Sequence, residues 1–437
     1  MSEWKEKTLG ELSIRVSSGL TPLKSNTEFW ENPSIPWLKT DQLGEKYIFD
    51  TNTKISKEAL EQTNLRIYPE NTISIAMYGE GKTRGNLSII KVPMTTNQAC
   101  CNIEIDPKLA DVEYVYYYLK TQYDSLRKLS SGVRKNLNSN DIKNYKIYIP
   151  ESVSVQKSIV RFLTSLDNKI SINNQINQEL EAMAKTLYDY WFVQFDFPDQ
   201  NGKPYKSSGG KMVYNPELKR EIPEGWGVTT FSSWISDNKT GDWGKETSQG
   251  NYTLEVDCIR GADINGLSGN GKTDMPTRFI LEKNKNKLLT DFDIVIEISG
   301  GSPTQSTGRI VGISENVLNR FDLLLICSNF CKAVSLKEQE TFYNFVYEWK
   351  NLYDNGVLFS WEGKTSGIKN LLFDSFVTNY HIAQPPIDLM EQFFDYASSV
   401  DRKIQLLLKQ NQELTQLRDW LLPMLMNGQV KVGNYTD

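Results

Sequence analysis

The stretch Ser165-Leu-Asp-Asn-Lys-Ile170 recurs later in the chain as Ser399-Val-Asp-Arg-Lys-Ile404. A second stretch, Asn177-Gln-Glu-Leu180, recurs as Asn411-Gln-Glu-Leu414. Both pairs lie 234 residues apart (165 to 399, 177 to 411), without a gap. Solenoid repeats have periods of about 20–50 residues, which is far shorter. We therefore interpret the chain as a duplicated pair of domains, and these stretches as the matching part of each copy.

Each copy carries an apolar seam whose spacing alternates four and three residues, which is the heptad of a coiled coil. The first seam contains Ile159, Leu163, Leu166, Ile170, Asn173, Asn177, Leu180, Ala184 and Leu187, and the second contains Phe393, Ala397, Val400, Ile404, Leu407, Asn411, Leu414, Arg418 and Leu421. Helices of about 30–35 residues would be about 45–50 Å long. We predict that the two helices pair with each other; the alternative is that each packs only on its own globular domain.

A subset of the seam defines this predicted helix pairing. It consists of Ile170, Asn177 and Leu180 in the first helix, and Ile404, Asn411 and Leu414 in the second. Asn177 and Asn411 occupy the same position of the repeat. A buried asparagine at such a position costs stability but fixes the register of two helices.

The regions outside the helices repeat more weakly, at an offset near 222 (4 to 226). The matched pairs include Trp4 with Trp226, Gly19 with Gly241, Leu38 with Ile259, Ile73 with Val295, Gly79 with Gly301, and Asn97 with Asn319. Short β-branched or apolar runs alternate with helical runs, so each copy is a mixed α/β domain. The predicted order is a first globular domain (1–151), a helical region (152–195), a connector with a second globular domain (196–387), and a second helical region (388–437).

Composition limits the chemistry that the chain can carry. The 437 residues include one histidine, His381, five cysteines and a formal net charge of −5. A metal site with two or three histidines is therefore impossible within one chain, and a Ser-His-Asp triad would depend on His381. An odd number of cysteines without framework spacing predicts a reducing cytoplasm. No apolar run approaches the ~18 residues of a membrane span.

One motif fits the phosphate-binding loop G-x-x-x-x-G-K-[ST], namely Gly266-Leu-Ser-Gly-Asn-Gly-Lys272-Thr273. Such a loop needs a strand before it and a helix directly after it, because the helix N-terminus holds the phosphate. The residues after Thr273 do not form a clear helical face. A nucleotide hydrolase that uses Lys272 and Thr273 therefore remains only an alternative, and we predict no catalytic residue and no metal ligand.

Basic residues are concentrated in particular loops. The segment Lys120–Lys146 holds seven basic and two acidic residues, although the whole chain is acidic. Its centre contains Arg134, Lys135 and Asn136, residue types that reach phosphates and base edges. Charge runs are often only solvated surface, but here polar or basic loops recur in both copies.

These features together resemble the specificity (S) subunit of type I restriction-modification systems. The repeated helical stretches carry the resemblance, with Leu187-Tyr-Asp-Tyr-Trp-Phe-Val-Gln-Phe-Asp196 and Glu221-Ile-Pro-Glu-Gly-Trp226. The resemblance implies two target-recognition domains, each reading half of a bipartite DNA site, joined by two long antiparallel helices that set the spacing. The implied fold class is thus α+β with an internal pseudo-two-fold repeat.

The resemblance also implies partners for a subunit that is not itself an enzyme. Modification (methyltransferase) subunits, usually two, would dock on the helical regions and recognition domains, and restriction (motor-nuclease) subunits would join them. S-adenosylmethionine, ATP and Mg would then be bound by these partners and no cofactor by this chain. We expect a cytoplasmic protein that binds double-stranded DNA and no membrane.

The resemblance suggests DNA contacts only at the level of loops. The candidates are Lys82, Arg84, Arg134, Lys135 and Asn136 in the first domain, and Gln305, Arg309, Lys369 and Asn370 in the second. The loop of Gly79, Lys82 and Arg84 is matched roughly with Gly301, Gln305 and Arg309, and the loop of Asn136 with Asn370. A coiled-coil scaffold without a DNA role remains the main alternative. The sequence leaves open the recognised bases, the spacer length and the methylated adenines.

Overall fold

A computed structural model describes residues 4–79, 83–129, 136–300, 304–365 and 368–430 of the chain. It contains two compact units. Unit 1 combines Met1–Lys169 with Leu414–Asp437, and unit 2 is Ile170–Glu413. Each unit therefore contains one globular domain and parts of both helical regions.

Unit 1 contains a mixed α/β domain. Its strands are β1 (Trp4–Thr8), β2 (Ser13–Ser18), β3 (Ile35–Leu38), β4 (Tyr47–Ile48), β5 (Lys54–Ile55), β6 (Thr72–Ala76), β7 (Leu87–Ile90), β8 (Thr95–Thr96), β9 (Cys100–Ile105) and β10 (Lys146–Pro150). Its short helices are α1 (Lys57–Gln62), α2 (Val112–Thr121), α3 (Tyr123–Lys128) and α4 (Ser139–Lys143), and a long helix, α5 (Val153–Tyr188), follows β10.

Central strands of the first domain are buried on both faces, although one face carries polar side chains. Every residue of β6 is buried, although the alternation of its sequence Thr-Ile-Ser-Ile-Ala is typical of a strand with only one buried face. Helix α2 packs against β6 and β7. It begins where the side chain of Asp111 accepts hydrogen bonds from the amides of Glu113 and Tyr114, an ordinary N-terminal cap.

Unit 2 contains the second mixed domain. Its strands are β11 (Met212–Asn215), β12 (Arg220–Pro223), β13 (Gly227–Thr230), β14 (Ile235–Thr240), β15 (Tyr252–Ile259), β16 (Thr277–Leu281), β17 (Asp293–Glu297), β18 (Ser299–Gly300), β19 (Ile310–Ile313), β20 (Leu324–Cys327), β21 (Cys331–Leu336), β22 (Glu362–Thr365), β23 (Ile368–Leu371) and β24 (His381–Gln384). Its helices are α6 (Phe231–Trp234), α7 (Ile264–Leu267), α8 (Glu315–Leu318), α9 (Phe342–Asp354), α10 (Phe373–Asn379) and the long α11 (Ile387–Met426).

Strand order shows that the two domains are copies of one fold. The first has a sheet with the order β2-β9-β6-β7-β4, and the second has β14-β21-β17-β19. A smaller sheet, β5-β3-β8, matches β16-β15-β20, and in both the central strand has one antiparallel and one parallel neighbour. The pair β1-β10 likewise matches β13-β24. The predicted α+β class and internal duplication are confirmed.

The long helices run antiparallel in the part that unit 2 contains. Ala184 of α5 packs with Val400 and Ile404 of α11, and Asn173 contacts Asn411, so rising numbers on one helix meet falling numbers on the other. The helices are therefore paired, as the matching seams predict. Proline is expected to end a helix, yet α11 continues past Pro423 to Met426. A proline so close to a helix end removes only one donor from the last turn.

No described helix is long and apolar enough to span a membrane.

Candidate DNA-recognition surface and helix pair

Backbone hydrogen bonds align the two globular domains residue by residue. The amide of Asn97 donates to the carbonyl of Leu38 (2.9 Å), and the amide of Ser328 donates to that of Ile259 (2.9 Å). These bonds tie the end of the parallel strand to the central strand in each copy. Asn97 therefore corresponds to Ser328 and not to Asn319, because the second copy carries extra residues before β20.

Two glycines confirm this alignment, because neither has room for a side chain. A Cβ on Gly19 would lie 2.2 Å from the carbonyl oxygen of Thr96. A Cβ on Gly241 would lie 2.0 Å from the carbonyl oxygen of Ser328. The sequence alone already matches Gly19 with Gly241. Both positions are glycine because the backbone of another segment passes too close for a side chain.

The candidate loops align through further hydrogen bonds. The matched bonds join Leu137 N to Met77 O (3.2 Å) and Leu371 N to Ile298 O (2.9 Å). They make Asn136 the counterpart of Asn370, in agreement with the sequence comparison. Both asparagines therefore lie one residue before a segment that is fixed to the end of a central strand, β6 or β17.

The other loop is aligned differently from the sequence expectation. The amide of Ala76 donates to the carbonyl of Asn86 (2.8 Å), and that of Glu297 donates to Arg309 (2.9 Å). Arg309 thus corresponds to Asn86, and the match with Arg84 was wrong by two residues. The sequence does not reveal this alignment, because the loops differ in length and the aligned residues, Asn86 and Arg309, are of different types.

In the second domain the structure brings three of the four candidates together, namely Gln305, Lys369 and Asn370. The ammonium of Lys369 donates to the carbonyl of Gln305 (3.2 Å) and lies 3.3 Å from a carboxylate oxygen of Glu362. The Asn370 side chain accepts a hydrogen bond from the hydroxyl of Ser299 (2.6 Å). Gln305 is exposed. This group of side chains therefore forms one polar surface beside β18 and β23.

Arg309 has a structural contact as well as its predicted role. Its Nε and Nη2 donate to the two carboxylate oxygens of Glu297 at 2.9 and 2.6 Å. The Glu297 side chain is only 5% exposed, whereas that of Arg309 is 22% exposed. The bidentate bond with Glu297 raises the pKa of the guanidinium. The carboxylate is thus buried beneath the arginine that it orients.

The first domain is described in part. Lys82, Arg134 and Lys135 lie outside the described residues, so their roles stay predictions. Arg84 and Asn136 are half-buried. Gly79, at the start of the loop that leads to Arg84, has a φ of +144°. Its missing side chain lets Thr83 approach, since a Cβ there would lie 2.8 Å from that of Thr83.

Asparagines form the polar centre of the helix pair in unit 2. Asn173 Nδ2 donates to Asn411 Oδ1 and to Gln410 Oε1, both at 2.8 Å. Asn411 Nδ2 donates to Asn174 Oδ1 at 2.8 Å. Asn177 is 3% exposed, yet neither atom of its amide has a hydrogen-bond partner among the described residues. The repeated asparagines are therefore both buried, but only Asn411 is bonded across the pair.

The remaining predicted pairing residues are apolar side chains of the two helices. Ile404 belongs to a buried cluster with Ala184 and Val400, against which Leu180 packs. Ile170 and Leu414 are half-buried. Within unit 2, Ile404 and Leu180 therefore take part in the apolar packing of the helix pair.

A repeated aspartate attaches each helix to its own globular domain, a role that the sequence did not reveal. In unit 1, Asp167 on α5 accepts hydrogen bonds from the hydroxyl of Tyr117 and from Arg418 Nη1, the latter at 2.9 Å. In unit 2, Asp401 on α11 accepts from the hydroxyl of Ser314 at 2.6 Å. Burial raises the pKa of Asp401. The third residue of each quoted repeat is thus a docking residue.

Other motifs are not arranged for catalysis. Gly266 lies inside α7, and Lys272 and Thr273 lead into strand β16 rather than into a helix. The phosphate-loop alternative is therefore wrong, because no helix N-terminus follows the motif. All five cysteines are buried, and burial raises the pKa of Cys100 to about 12. No group of metal-ligating side chains occurs within the described ranges.

Comparisons with known proteins identify relatives along the chain. A family model described as "Type I restriction modification DNA specificity domain" matches residues 1–182. The "Type I restriction enzyme MjaIX specificity subunit" of Methanocaldococcus jannaschii is 28% identical over 98% of this chain and 94% of its own length. The EcoR124I/EcoR124II specificity subunit of Escherichia coli is 31% identical over 45% of this chain and 48% of its own length.

A solved structure supports the fold. The S subunit of a type I restriction-modification system from M. genitalium matches with a TM-score of 0.56 and 16% identity, covering 97% of this chain and 96% of that one. Sequence relatives, the shared architecture and the duplicated domains agree with one another. Along nearly its whole length the chain is thus similar to specificity subunits of type I restriction enzymes.

Proposed function

We propose that the chain binds DNA as the specificity subunit of a type I restriction-modification complex, with each globular domain reading one half of a bipartite site. One observation carries this proposal: the two globular domains share the same backbone hydrogen bonds but have different side chains at equivalent positions. Matched hydrogen bonds make Asn136 of the first domain equivalent to Asn370 of the second. They make Asn86 equivalent to Arg309, so the side chain differs at that position. A common frame with different surface residues is what two unlike half-sites require.

The helix pair is suited to set the distance between the half-sites. Helix α5 has 36 residues and α11 has 40. At 1.5 Å per residue these helices are about 54 and 60 Å long. One turn of DNA, with its ~10 base pairs, spans ~34 Å. The helices are thus long enough for a spacer of several base pairs.

An exposed apolar stripe on the helices supports the proposed docking of modification subunits. If the seam residues occupy heptad positions a and d, Ile172 and Leu406 are at c, and Ile176 and Met183 are at g. All four are exposed in unit 2, and Leu406 is 59% exposed. The c and g positions of two antiparallel helices lie on the same side of the pair.

The opposite side of the helices is already occupied. Asp401 and Gln405, at positions e and b, face the second globular domain through Ser314 and Arg320. The c and g stripe therefore points away from the domain that unit 2 contains. We infer that it takes a helical apolar face of a modification subunit, since isolated exposed leucines are common but a stripe at a helical period is not.

Chemistry is assigned to the partners. We propose that modification subunits, two in the complete complex, bind S-adenosylmethionine, and that restriction subunits use ATP and Mg. The buried cysteines and the disrupted phosphate-loop motif support a chain that contributes recognition only. The proposed site of action is the cytoplasm, where the DNA is.

Domain exchange tests this function. Residues 1–150 are replaced by the equivalent domain of another such subunit, and methylated sites are mapped by single-molecule sequencing. We expect one half of the methylated sequence to change while the other half and the spacer are kept. A change in both halves, or in neither, would refute the assignment of one domain to one half-site.

A single substitution separates this function from a scaffold. Arg134→Ala should weaken DNA binding by the complex with its modification subunit. Loss of one phosphate contact lowers the slope of log affinity against log salt by about 0.9. A scaffold without a DNA role would show no sequence-specific binding with or without that partner.

A further inference from the structure

The second globular domain contains a cleft of about 610 Å³. Its walls include Trp243, Phe330 and Ile368, which are exposed apolar side chains. Its floor includes Glu297, which is buried beneath Arg309. Scattered apolar residues are normal on a surface, but three that line one cleft mark a binding site.

Phe330 is held in place although its side chain is free. Its carbonyl accepts hydrogen bonds from the amides of Ile298 (2.8 Å) and Ser299 (3.1 Å), while 57% of the residue is exposed. It lies in the short turn between β20 and β21. A rigid turn that presents an aromatic ring to solvent is organised for contact with a partner.

The first domain has the same backbone here but different side chains. The amide of Met77 donates to the carbonyl of Ala99 (2.8 Å), as Ile298 does to Phe330, so Phe330 replaces an alanine. The same alignment pairs Trp243 with Thr21, Arg260 with Lys39, and Glu297 with Ala76. The cleft is therefore a place where one domain differs from its own copy in a shared frame.

Charge around the cleft favours DNA as its occupant. Arg260 lines the cleft, and its Nε donates to Asp263 at 2.9 Å. The side chain of Asp263 is nearly inaccessible, whereas that of Arg260 is more than one third exposed. The pair of Arg309 and Glu297 is arranged in the same way. In each pair the guanidinium is partly exposed and the carboxylate is buried. Exposed carboxylates nearby have basic neighbours: Glu246 pairs with Arg278, which lies over the Trp243 ring, and Asp274 accepts a hydrogen bond from Arg260 through its carbonyl.

We propose that this cleft reads a thymine of the second half-site, whose 5-methyl group contacts the ring of Phe330. This inference rests on the proposed function, and it specifies which base is read and which residue contacts it. Thymine is the base whose major-groove edge carries a methyl group, and apolar side chains recognise it by contact. Ile368 and Trp243 complete the apolar wall, while Arg260 and Arg309 face the phosphates at its edge.

The test removes the methyl group from the DNA and the ring from the protein in turn. The complex of the full chain with its modification subunit is bound to duplexes in which each thymine of the second half-site is replaced by deoxyuridine. Loss of one buried methyl should weaken binding about fourfold at one position. In Phe330→Ala the same replacement should have no effect, because the methyl has lost its contact.

Controls separate this contact from general damage. Leu324→Ala removes an equally exposed apolar side chain of the second domain outside the cleft and should keep the fourfold effect, and so should Phe330→Leu, which keeps an apolar contact. The inference is wrong if the second half-site contains no thymine, or if the deoxyuridine effect persists in Phe330→Ala. Either result leaves the proposed function standing. If the wild-type complex binds no DNA sequence specifically, the proposed function fails with it.

Discussion

Replacing Asn177 by leucine should stabilise unit 2, although it removes a residue of the repeated motif. Asn177 is almost fully buried in the helix pair, and neither its Oδ1 nor its Nδ2 has a hydrogen-bond partner among the described residues. An unsatisfied buried polar group costs about 1–3 kcal/mol. Asn177→Leu removes this cost and continues the apolar seam that Leu180 and Ala184 form.

The expected gain can be converted into a melting temperature. For a unit of this size, 1 kcal/mol shifts the midpoint of thermal unfolding by about 2–4 °C, so the gain of about 1–3 kcal/mol corresponds to about 2–12 °C. Asn411→Leu should have the opposite sign, because it removes the bonds of Asn411 with Asn173 and Asn174. We expect it to lower the free energy of unfolding by about 1–3 kcal/mol.

Urea unfolding followed by circular dichroism, together with scanning calorimetry, measures both changes. Asn177→Ala serves as the steric control, since it removes the amide without adding volume. If Asn177→Leu and Asn177→Ala both destabilise the protein, the amide is satisfied and the reasoning is wrong. A gain in stability with a loss of methylation activity would instead show that Asn177 keeps the register of the helices.

Other substitutions test the charged and exposed residues. Arg309→Ala should destabilise unit 2 by about 3–5 kcal/mol in urea unfolding, because it leaves the buried carboxylate of Glu297 unpaired. The raised pKa of Asp401 favours its protonated form in the folded state, so stability should fall as the pH rises above the ordinary value of 3.8. Asp401→Asn should lack that part of the pH dependence. Leu406→Asp should abolish co-purification with the modification subunit, whereas Gln175→Asp, at an outer helix position, should not.

Heptad spacing and the internal repeat were enough to predict the helices. The seam periodicity reflects burial of one helix face, which is a local property of sequence. The pairing of Ala184 with Ile404 follows because both belong to matching seams. The end of α11 was not predicted, since a proline in the last turn breaks one hydrogen bond and can be tolerated there.

Residues of the candidate site were predicted less well, because loop register depends on insertions. Asn136 and Asn370 were matched from sequence, and the hydrogen bonds of the next residues support the match. The loop of Arg84 was matched roughly with that of Arg309, whereas the strand register aligns Arg309 with Asn86. The cleft around Phe330 gave no signal, since one aromatic residue in a turn has no pattern.

What repeats in the chain and what differs between the copies have separate physical causes. Asp167 and Asp401 recur because each helix must be attached to its own domain by a carboxylate that accepts hydrogen bonds. Phe330 and its counterpart Ala99 differ although the same backbone bond holds both. A frame that had to bind identical half-sites would have no reason to vary there. The net charge of −5 is no argument against DNA either, because basic residues are concentrated in particular segments, such as Lys120–Lys146 with its seven basic and two acidic residues.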